Sequence, residues 1–479
     1  MADPVIEAAL PAEEALAAIR ALLGPRGVVE DALDQAPYLE EPRKLFPGRA
    51  ALVTRPADRD QLAGVLRLCH AARLPVIPLG GRTGLVGGTT SQEGPPPVLI
   101  SLERLNRILA VDAQAMTMTV EAGCILENIH RAAEAEGLLF PINLGARGSC
   151  MIGGNIATNA GGIQVLRYGN TRDLVLGLEV VLPDGEVWDG LRALRKDNTG
   201  YDMKQLFIGA EGTLGIVTAA VLRLFPKPEE VQTAFLGLPD AKAAIGLYAL
   251  AQRLSGGTLS AFELIQRFGV EISCRHGGGV DPLAAPAPWY VLLEMSGAAD
   301  GALRATLETL LEQAMEQGLV LDGTIAESGA QAAGLWHLRE ALVDTQQYEG
   351  ASIKHDIAVP ISRVPEFLEK AGAAALAVMP TARLLAFGHV GDGNIHFNLA
   401  QPAAGMTAEA FLAGSKAVYR AVHDVVASLG GSISAEHGIG QLKRAELAHY
   451  APPAELRLMR AVKQAVDPRG IMNPGKILA

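Results

Sequence analysis

The amino-acid sequence predicts an α+β fold of two main domains and a closing C-terminal segment. Three observations carry this prediction. Early in the chain a strand, a helix and a second strand run into a glycine loop. Three glycine-rich segments fall before residue 226. Pro226-Lys227-Pro228 then makes a stiff break at which the composition also changes. The length agrees, because 479 residues exceed what one ordinary core accommodates.

Taken in order, residues 13–24 read as an amphipathic helix closed by Gly24, within a helical N-terminal segment spanning 1–45. Residues 51–54 read as a strand, 58–72 as a helix and 75–79 as a second strand entering Gly80. The first domain covers 46–228, its strands and helices alternating as far as Leu222-Arg223-Leu224-Phe225. Residues 229–430 read as a second α+β domain, in which the Gly-, Ala- and Pro-rich stretch 277–288 is an exposed loop. Residues 431–479 form the closing segment and carry Glu436 and His437.

Composition removes several functional classes. Hydrophobic residues make up 49% of the chain and mean hydropathy is +0.21, as expected of a well-buried globular protein. The net charge of −11, with no basic run, argues against nucleic-acid or anionic-membrane partners. The 4 cysteines are widely spaced and include no C-x-x-C pair, which excludes a cysteine zinc module or iron–sulfur cluster and suits a reducing compartment. The start, Met1-Ala2-Asp3-Pro4-Val5-Ile6-Glu7, lacks the basic-then-apolar layout of a signal peptide, and no apolar run approaches the ~20 residues of a membrane span. A soluble, cytoplasmic protein is the expectation.

The glycine segments bear on ligand chemistry. None is a G-x-G-x-x-G or G-x-x-x-x-G-K-[ST] fingerprint, which weighs against nicotinamide cofactors and nucleoside triphosphates. Gly80-Gly81-Arg82-Thr83-Gly84-Leu85-Val86-Gly87-Gly88 nevertheless has consecutive small residues whose amides can converge on a pyrophosphate. In 141–162, nearly every side chain is small, so a large planar group could lie against backbone. Gly209-Ala210-Glu211-Gly212-Thr213-Leu214-Gly215 is the third segment. Three such segments in one domain point to a bound nucleotide-like cofactor.

A second constellation lies in Gly388-His389-Val390-Gly391-Asp392-Gly393-Asn394-Ile395-His396-Phe397-Asn398 and Glu436-His437-Gly438. Gly391-Asp392-Gly393-Asn394 reads as a tight turn between two short strands. Period-2 alternation then sets His396 and Asn398 on one face, and the hairpin can return His389 towards them. Two histidines and one glutamate around an open position form the ligand set of catalytic zinc.

These motifs, with Asn473-Pro474-Gly475-Lys476 at the end, resemble the FAD-dependent D-2-hydroxyacid dehydrogenases, the group that holds D-2-hydroxyglutarate and D-lactate dehydrogenases. The similarity runs from about residue 38 to the C-terminus. It implies a vanillyl-alcohol-oxidase-type FAD-binding domain, a substrate-binding cap domain and a C-terminal segment that returns to the FAD. In that family the first loop holds the FAD pyrophosphate and the other two line the flavin. The implied cofactor contacts are Pro78, Gly80, Gly81, Arg82, Thr83, Gly84, Leu85, Gly148, Ser149, Gly153, Gly154, Ala157, Thr158, Ala160, Glu211, Gly212, Gly215, Ile216 and Asn473. Members with covalent flavin carry a histidine in the first loop; this chain has none there, so non-covalent FAD is expected.

The resemblance also makes His389, His396 and Glu436 metal ligands and His437 the catalytic base. Zinc suits the N/O donor set, with manganese or iron as alternatives. Arg339 and Lys354 would bind substrate carboxylate, with Asn398 hydrogen-bonding nearby. Without the resemblance, Arg339 reads as a solvated helix residue and Lys354 as a strand-edge charge. A lysine at 354 follows the D-2-hydroxyglutarate pattern, whereas Val343 replaces a threonine of that pattern. The expected reaction is oxidation of D-2-hydroxyglutarate to 2-oxoglutarate by metal-assisted hydride transfer to flavin N5, with D-malate or D-lactate as competitors. A non-haem iron oxygenase and a non-enzymatic flavin carrier are more distant readings. An electron-transfer flavoprotein or a quinone is the expected electron acceptor, and a homodimer the expected assembly.

Overall fold

The computed structural model describes residues 10–299 and 301–478; residues 1–9, on which the reading of the N-terminus rests, lie outside the described residues. The chain forms two compact units, one of Met1–Ala160, Asn170–Lys227 and His437–Ala479, the other of Gly161–Gly169 and Pro228–Glu436. The break therefore falls within the expected Pro-Lys-Pro. Three boundaries differ from the sequence reading. The described part of the 1–45 segment, residues 10–45, is no separate piece, because Val28–Val29 pairs antiparallel with Leu52–Thr54. Gly161–Gly169 belongs to the second unit, where Arg167 Nη1 donates to Ser296 Oγ at 2.6 Å. The second unit also continues past 430 to Glu436, tied by a bridge between Ala358 and Ser432 and by Glu436 N donating to Asp356 Oδ2 (3.0 Å).

In the first unit, helix Ala12–Leu23 buries Ala15, Leu16, Ile19 and Leu23, one stripe at helical spacing, and stops at Gly24 with φ 64°. Helix Arg59–Ala72 begins where Asp58 accepts from Gln61 N (2.8 Å), and buries Leu62, Val65, Leu66 and Cys69. A four-stranded sheet runs Val28–Val29, Leu52–Thr54, Val98–Ser101, Val76–Leu79, the last three mutually parallel. A five-stranded antiparallel sheet runs Ile108–Asp112, Thr117–Glu121, Ile216–Arg223, Val175–Val181, Val187–Gly190. The chain's end returns to this unit: Val76 N donates to Ile471 O and Asn473 N to Val76 O, both at 2.8 Å.

The second unit is a seven-stranded antiparallel sheet ordered Asp322–Ile325, Glu230–Leu238, Trp289–Gly297, Leu259–Gln266, Arg383–Gly388, Asn394–Ala400, Ser352–Ala358. On one face Phe235, Ile265, Tyr290, Leu292, Leu385 and Phe387 pack with Leu335, Leu338 and Leu342 of the helices Gly329–Glu340 and Leu342–Thr345. On the other face Phe262 meets Tyr248 of helix Ala241–Ser255 and Phe397 meets Phe367 of helix Val364–Val378. Alternation along each strand separates the two sets. No helix among the described residues is long and apolar enough to cross a membrane.

Candidate functional site

The first unit holds a cleft with about 980 Å³ of space free of atoms. Strand Val76–Leu79 delivers the chain into it at Gly80, and the short helix Ile152–Ala157 forms a facing wall. Side chains are excluded here by close backbone approach: a Cβ on Gly81 would stand 2.2 Å from Ser149 O. Gly154 is not closed in this way: a Cβ there would meet nothing within 4 Å, so a side chain would project into open room at the cleft.

Most of the expected cofactor residues line this cleft, among them Pro78, Gly80, Arg82, Thr83, Thr158, Gly215 and Asn473. Leu85, Gly148, Ser149 and Ala160 are not in its lining. Ser149 instead presses its carbonyl on Gly81, and Ala160 O accepts from Thr171 Oγ1 at 2.7 Å. Val86, rather than Leu85, borders the cleft. Glu211 is a lining residue whose carboxylate is already engaged, accepting from Ile439 N (2.7 Å) and Gly440 N (2.8 Å). Burial pushes its pKa up while these two donors oppose the rise. Glu211 thus anchors the turn that follows His437, and His437 also borders the cleft.

The residues fit FAD. Asn155 Oδ1 and Asn473 Oδ1 are buried with no protein hydrogen-bond partner, and both residues line the cleft. FAD offers donors for them in its flavin N3–H, ribityl hydroxyls and adenine amine. Asn155 was not foreseen from the sequence, although it lies inside the small-residue segment 141–162.

In the second unit, residues 389–393 join two adjacent strands, with positive φ at Gly388 (153°) and Gly393 (86°). The hairpin brings His389 and His396 together, their ring centroids 5.8 Å apart. His389 Nε2 stands 3.8 Å from Glu436 Oε1 and His396 Nε2 4.0 Å from Glu436 Oε2. One ligand atom from each of the three residues lies within 4.8 Å of the others, a grouping of the kind that holds a divalent ion. Burial raises the Glu436 pKa, the nearby Asp356 carboxylate adds to the rise and His389 opposes it. A divalent cation would relieve that repulsion, so donor set and local charge both fit a metal.

The supporting residues were not foreseen. Glu263, 1% exposed, accepts from His389 Nδ1 (2.6 Å) and from Arg339 Nε (2.8 Å). Burial alone would lower the His389 pKa, but the Glu263 carboxylate more than reverses this and the net shift is upward. Asp356, also buried, accepts from Glu436 N and from Asn394 Nδ2, each at 3.0 Å. The signal for Glu263 was present as one charge in the otherwise uncharged run Leu259-Ser260-Ala261-Phe262-Glu263-Leu264-Ile265.

Arg339 is 5% exposed, not a solvated helix residue, and stacks over the Phe387 ring at 4.8 Å. Lys354 lies half-buried on the edge strand opposite Asn398, as Asp356 lies opposite His396, so these four share one face. The Asn398 amide accepts from His355 N (3.2 Å) and donates to Gln346 Oε1 (2.8 Å). Val343 is 61% exposed.

Comparison with known proteins gives the same grouping. The family described as "FAD linked oxidases, C-terminal domain" matches residues 227–477, and the "FAD binding domain" family matches residues 50–190. A mitochondrial D-2-hydroxyglutarate dehydrogenase of Bos taurus is 39% identical over 470 residues, 97% of this chain and 84% of that one. The D-2-hydroxyglutarate dehydrogenase of Xanthomonas citri pv. viticola is 41% identical over 436 residues, 91% of this chain and 90% of that one. Among solved structures, p-cresol methylhydroxylase with substrate bound aligns with a TM-score of 0.75 at 16% identity, covering 98% of each chain. Alkyldihydroxyacetonephosphate synthase aligns at 0.73 and 18% identity, covering 99% of this chain and 87% of that one. These two likenesses bear on the fold, which is of the vanillyl-alcohol-oxidase type. By sequence, fold and cofactor cleft together, the chain belongs to the D-2-hydroxyglutarate dehydrogenase family of FAD-linked oxidases.

Proposed function

We propose that this protein oxidises a D-2-hydroxyacid, D-2-hydroxyglutarate foremost, to the 2-oxoacid. The observation that carries the reading is the His389–His396–Glu436 triad with the buried Arg339 bonded to the same carboxylate as His389, and Lys354 two residues from Asp356 on the same face of the sheet. Two cations beside a metal-competent set suit a dianion better than a neutral alcohol. FAD, held non-covalently by the residues of the first unit's cleft, would supply the acceptor for a hydride from C2. His389, His396 and Glu436 would hold zinc, or manganese or iron, as a Lewis acid that lowers the pKa of the substrate hydroxyl. Arg339 and Lys354 hold carboxylate and so fix which hydrogen is presented. His437 takes the hydroxyl proton, a task suited to the lone pair of a neutral imidazole.

D-malate and D-lactate are the competing substrates. Val343, where the hydroxyglutarate pattern has threonine, supports D-malate, since it removes one hydroxyl donor. An electron-transfer flavoprotein or a quinone is the proposed acceptor, a homodimer the proposed assembly and the cytoplasm the proposed location.

Anaerobic titration of the FAD-loaded protein with D-2-hydroxyglutarate should bleach the oxidised-flavin band, and the L isomer should not. A band unmoved by the D isomer would reject the substrate. Exhaustive chelation should abolish turnover while FAD stays bound, and full activity after metal removal would reject a catalytic metal. Lys354→Ala should lower kcat/KM for D-2-hydroxyglutarate by roughly 10- to 100-fold, the loss of one charge-assisted contact, and D-lactate use far less. Equal losses on the two substrates would show that Lys354 reads no second carboxylate. Gly154→Val should leave the protein folded but weaken FAD binding by roughly 10- to 100-fold, the cost of an overpacked contact. Unchanged FAD affinity would mean that the cofactor does not lie against the helix wall at 152–157.

A further inference from the structure

We infer that Glu263 is a positioning residue that sets the metal ligand His389 and the substrate-binding Arg339 with one carboxylate, so that metal affinity and substrate recognition depend on the same side chain. The inference rests on the reading above, in which the triad holds a metal and Arg339 holds substrate carboxylate.

Glu263 sits in strand Leu259–Gln266 between buried apolar neighbours, Ala261, Phe262, Leu264 and Ile265. An ionised group there is tolerated only if both oxygens are matched, and they are. Oε1 accepts from His389 Nδ1 at 2.6 Å and Oε2 from Arg339 Nε at 2.8 Å. The first bond decides which imidazole nitrogen is left for a metal. With Nδ1 donating to Glu263, Nε2 is the nitrogen that points at Glu436, 3.8 Å from Oε1. The second bond occupies Nε of Arg339 and, with the stack on Phe387 at 4.8 Å, orients the two terminal nitrogens that form a carboxylate fork. One rigid strand residue therefore fixes both the ligand nitrogen and the fork.

Glutamine cannot reproduce this. Its amide has one acceptor and one donor end, while His389 Nδ1–H and Arg339 Nε–H both require acceptors. If the amide oxygen takes arginine, the amide NH₂ faces Nδ1 and the imidazole proton moves to Nε2, where it competes with the metal. If the oxygen takes histidine, the guanidinium loses its anchor; in either orientation the carboxylate charge is gone, so the bond that remains is a weaker one, to a neutral amide, and both His389 and Arg339 lose support.

The experiment uses full-length, FAD-loaded protein stripped of metal, titrated with Zn²⁺ against a chromophoric competitor, followed by KM for D-2-hydroxyglutarate at saturating Zn²⁺. Glu263→Gln should bind Zn²⁺ on the order of 10- to 100-fold more weakly, as metal sites do when a supporting partner is removed. Its KM should rise roughly tenfold with one charged hydrogen bond lost, and its FAD content should be unchanged. Glu263→Asp keeps the buried charge one methylene short and should show smaller losses in both quantities; it carries the test if the glutamine variant does not fold. Zn²⁺ affinity equal to wild type in either variant would overturn the inference, as would weakened Zn²⁺ binding with an unchanged KM, which would confine Glu263 to the metal. Wild-type protein that binds no Zn²⁺ yet turns over fully would instead overturn the metal reading on which the inference stands.

Discussion

A carboxylate placed in the middle of an apolar strand must be matched by donors, and that requirement organises the second unit. Glu263 lies among side chains that pack as a hydrophobic core, and its two oxygens meet His389 and Arg339, far apart in the chain and carried by a hairpin and a helix. Removing either partner would leave a buried charge uncompensated, which costs far more than a surface pair gains. The position of helix Gly329–Glu340 over the sheet and the direction of the 389–393 turn are therefore tied to one atom pair each. Asp356 makes the complementary tie. It accepts from the backbone of Glu436 and from Asn394 at the start of its own hairpin strand, and so holds Glu436 against the same sheet.

In the first unit the governing constraint is the opposite, the absence of side chains. Gly81 against Ser149 O allows loop and wall to meet backbone to backbone, and such contact can be closed only by glycine. The returning C-terminal segment then needs an anchor of its own. Lys463 supplies it, donating to Thr213 O (2.7 Å), Met472 O (2.9 Å) and the Asp467 carboxylate (2.6 Å). Asn473 continues the tie through Glu211 O at 2.7 Å. A loop, a helix and the chain's end are thereby fixed around one cleft, while Asn155 and Asn473 each keep a buried oxygen for a ligand.

What could be read from the sequence follows from the range over which each feature is encoded. The stripe Leu62, Val65, Leu66, Cys69 and the cap at Asp58 are local, and the helix begins and ends within a residue of its expected bounds. The hairpin around Gly391 to Asn394 is equally local, because turn chemistry and alternation suffice to bring His389 and His396 together. Glu263 could not be assigned this way. Its partners lie 126 and 76 residues away, and nothing in the strand's own pattern says which donors will meet it. The placement of Gly161–Gly169 was hidden for the same reason, since a short glycine-flanked helix goes wherever Arg167 finds its acceptors on Ser296. The unit boundary at Glu436 likewise depends on Asp356, 80 residues earlier.

The same bookkeeping of donors narrows how substrate can be recognised. Asn398 has two amide hydrogens and one is committed to Gln346, while its oxygen already accepts from the His355 backbone. It can therefore contribute a single directional donor and no charge. Arg339 has its Nε committed to Glu263 and its face to Phe387, so what it offers is the pair of terminal nitrogens, in one orientation. A planar fork held so rigidly suits a carboxylate that approaches from one direction. Val343 is largely exposed and apolar, and neither supplies a donor nor closes the site by packing. On the proposed reading, discrimination among diacids of different length would then fall on Lys354, which lies opposite Asn398 on the same face. On the same reading, arginine would hold one carboxylate in a fixed direction and lysine a second at a variable distance, an arrangement that would favour diacids over a monoacid.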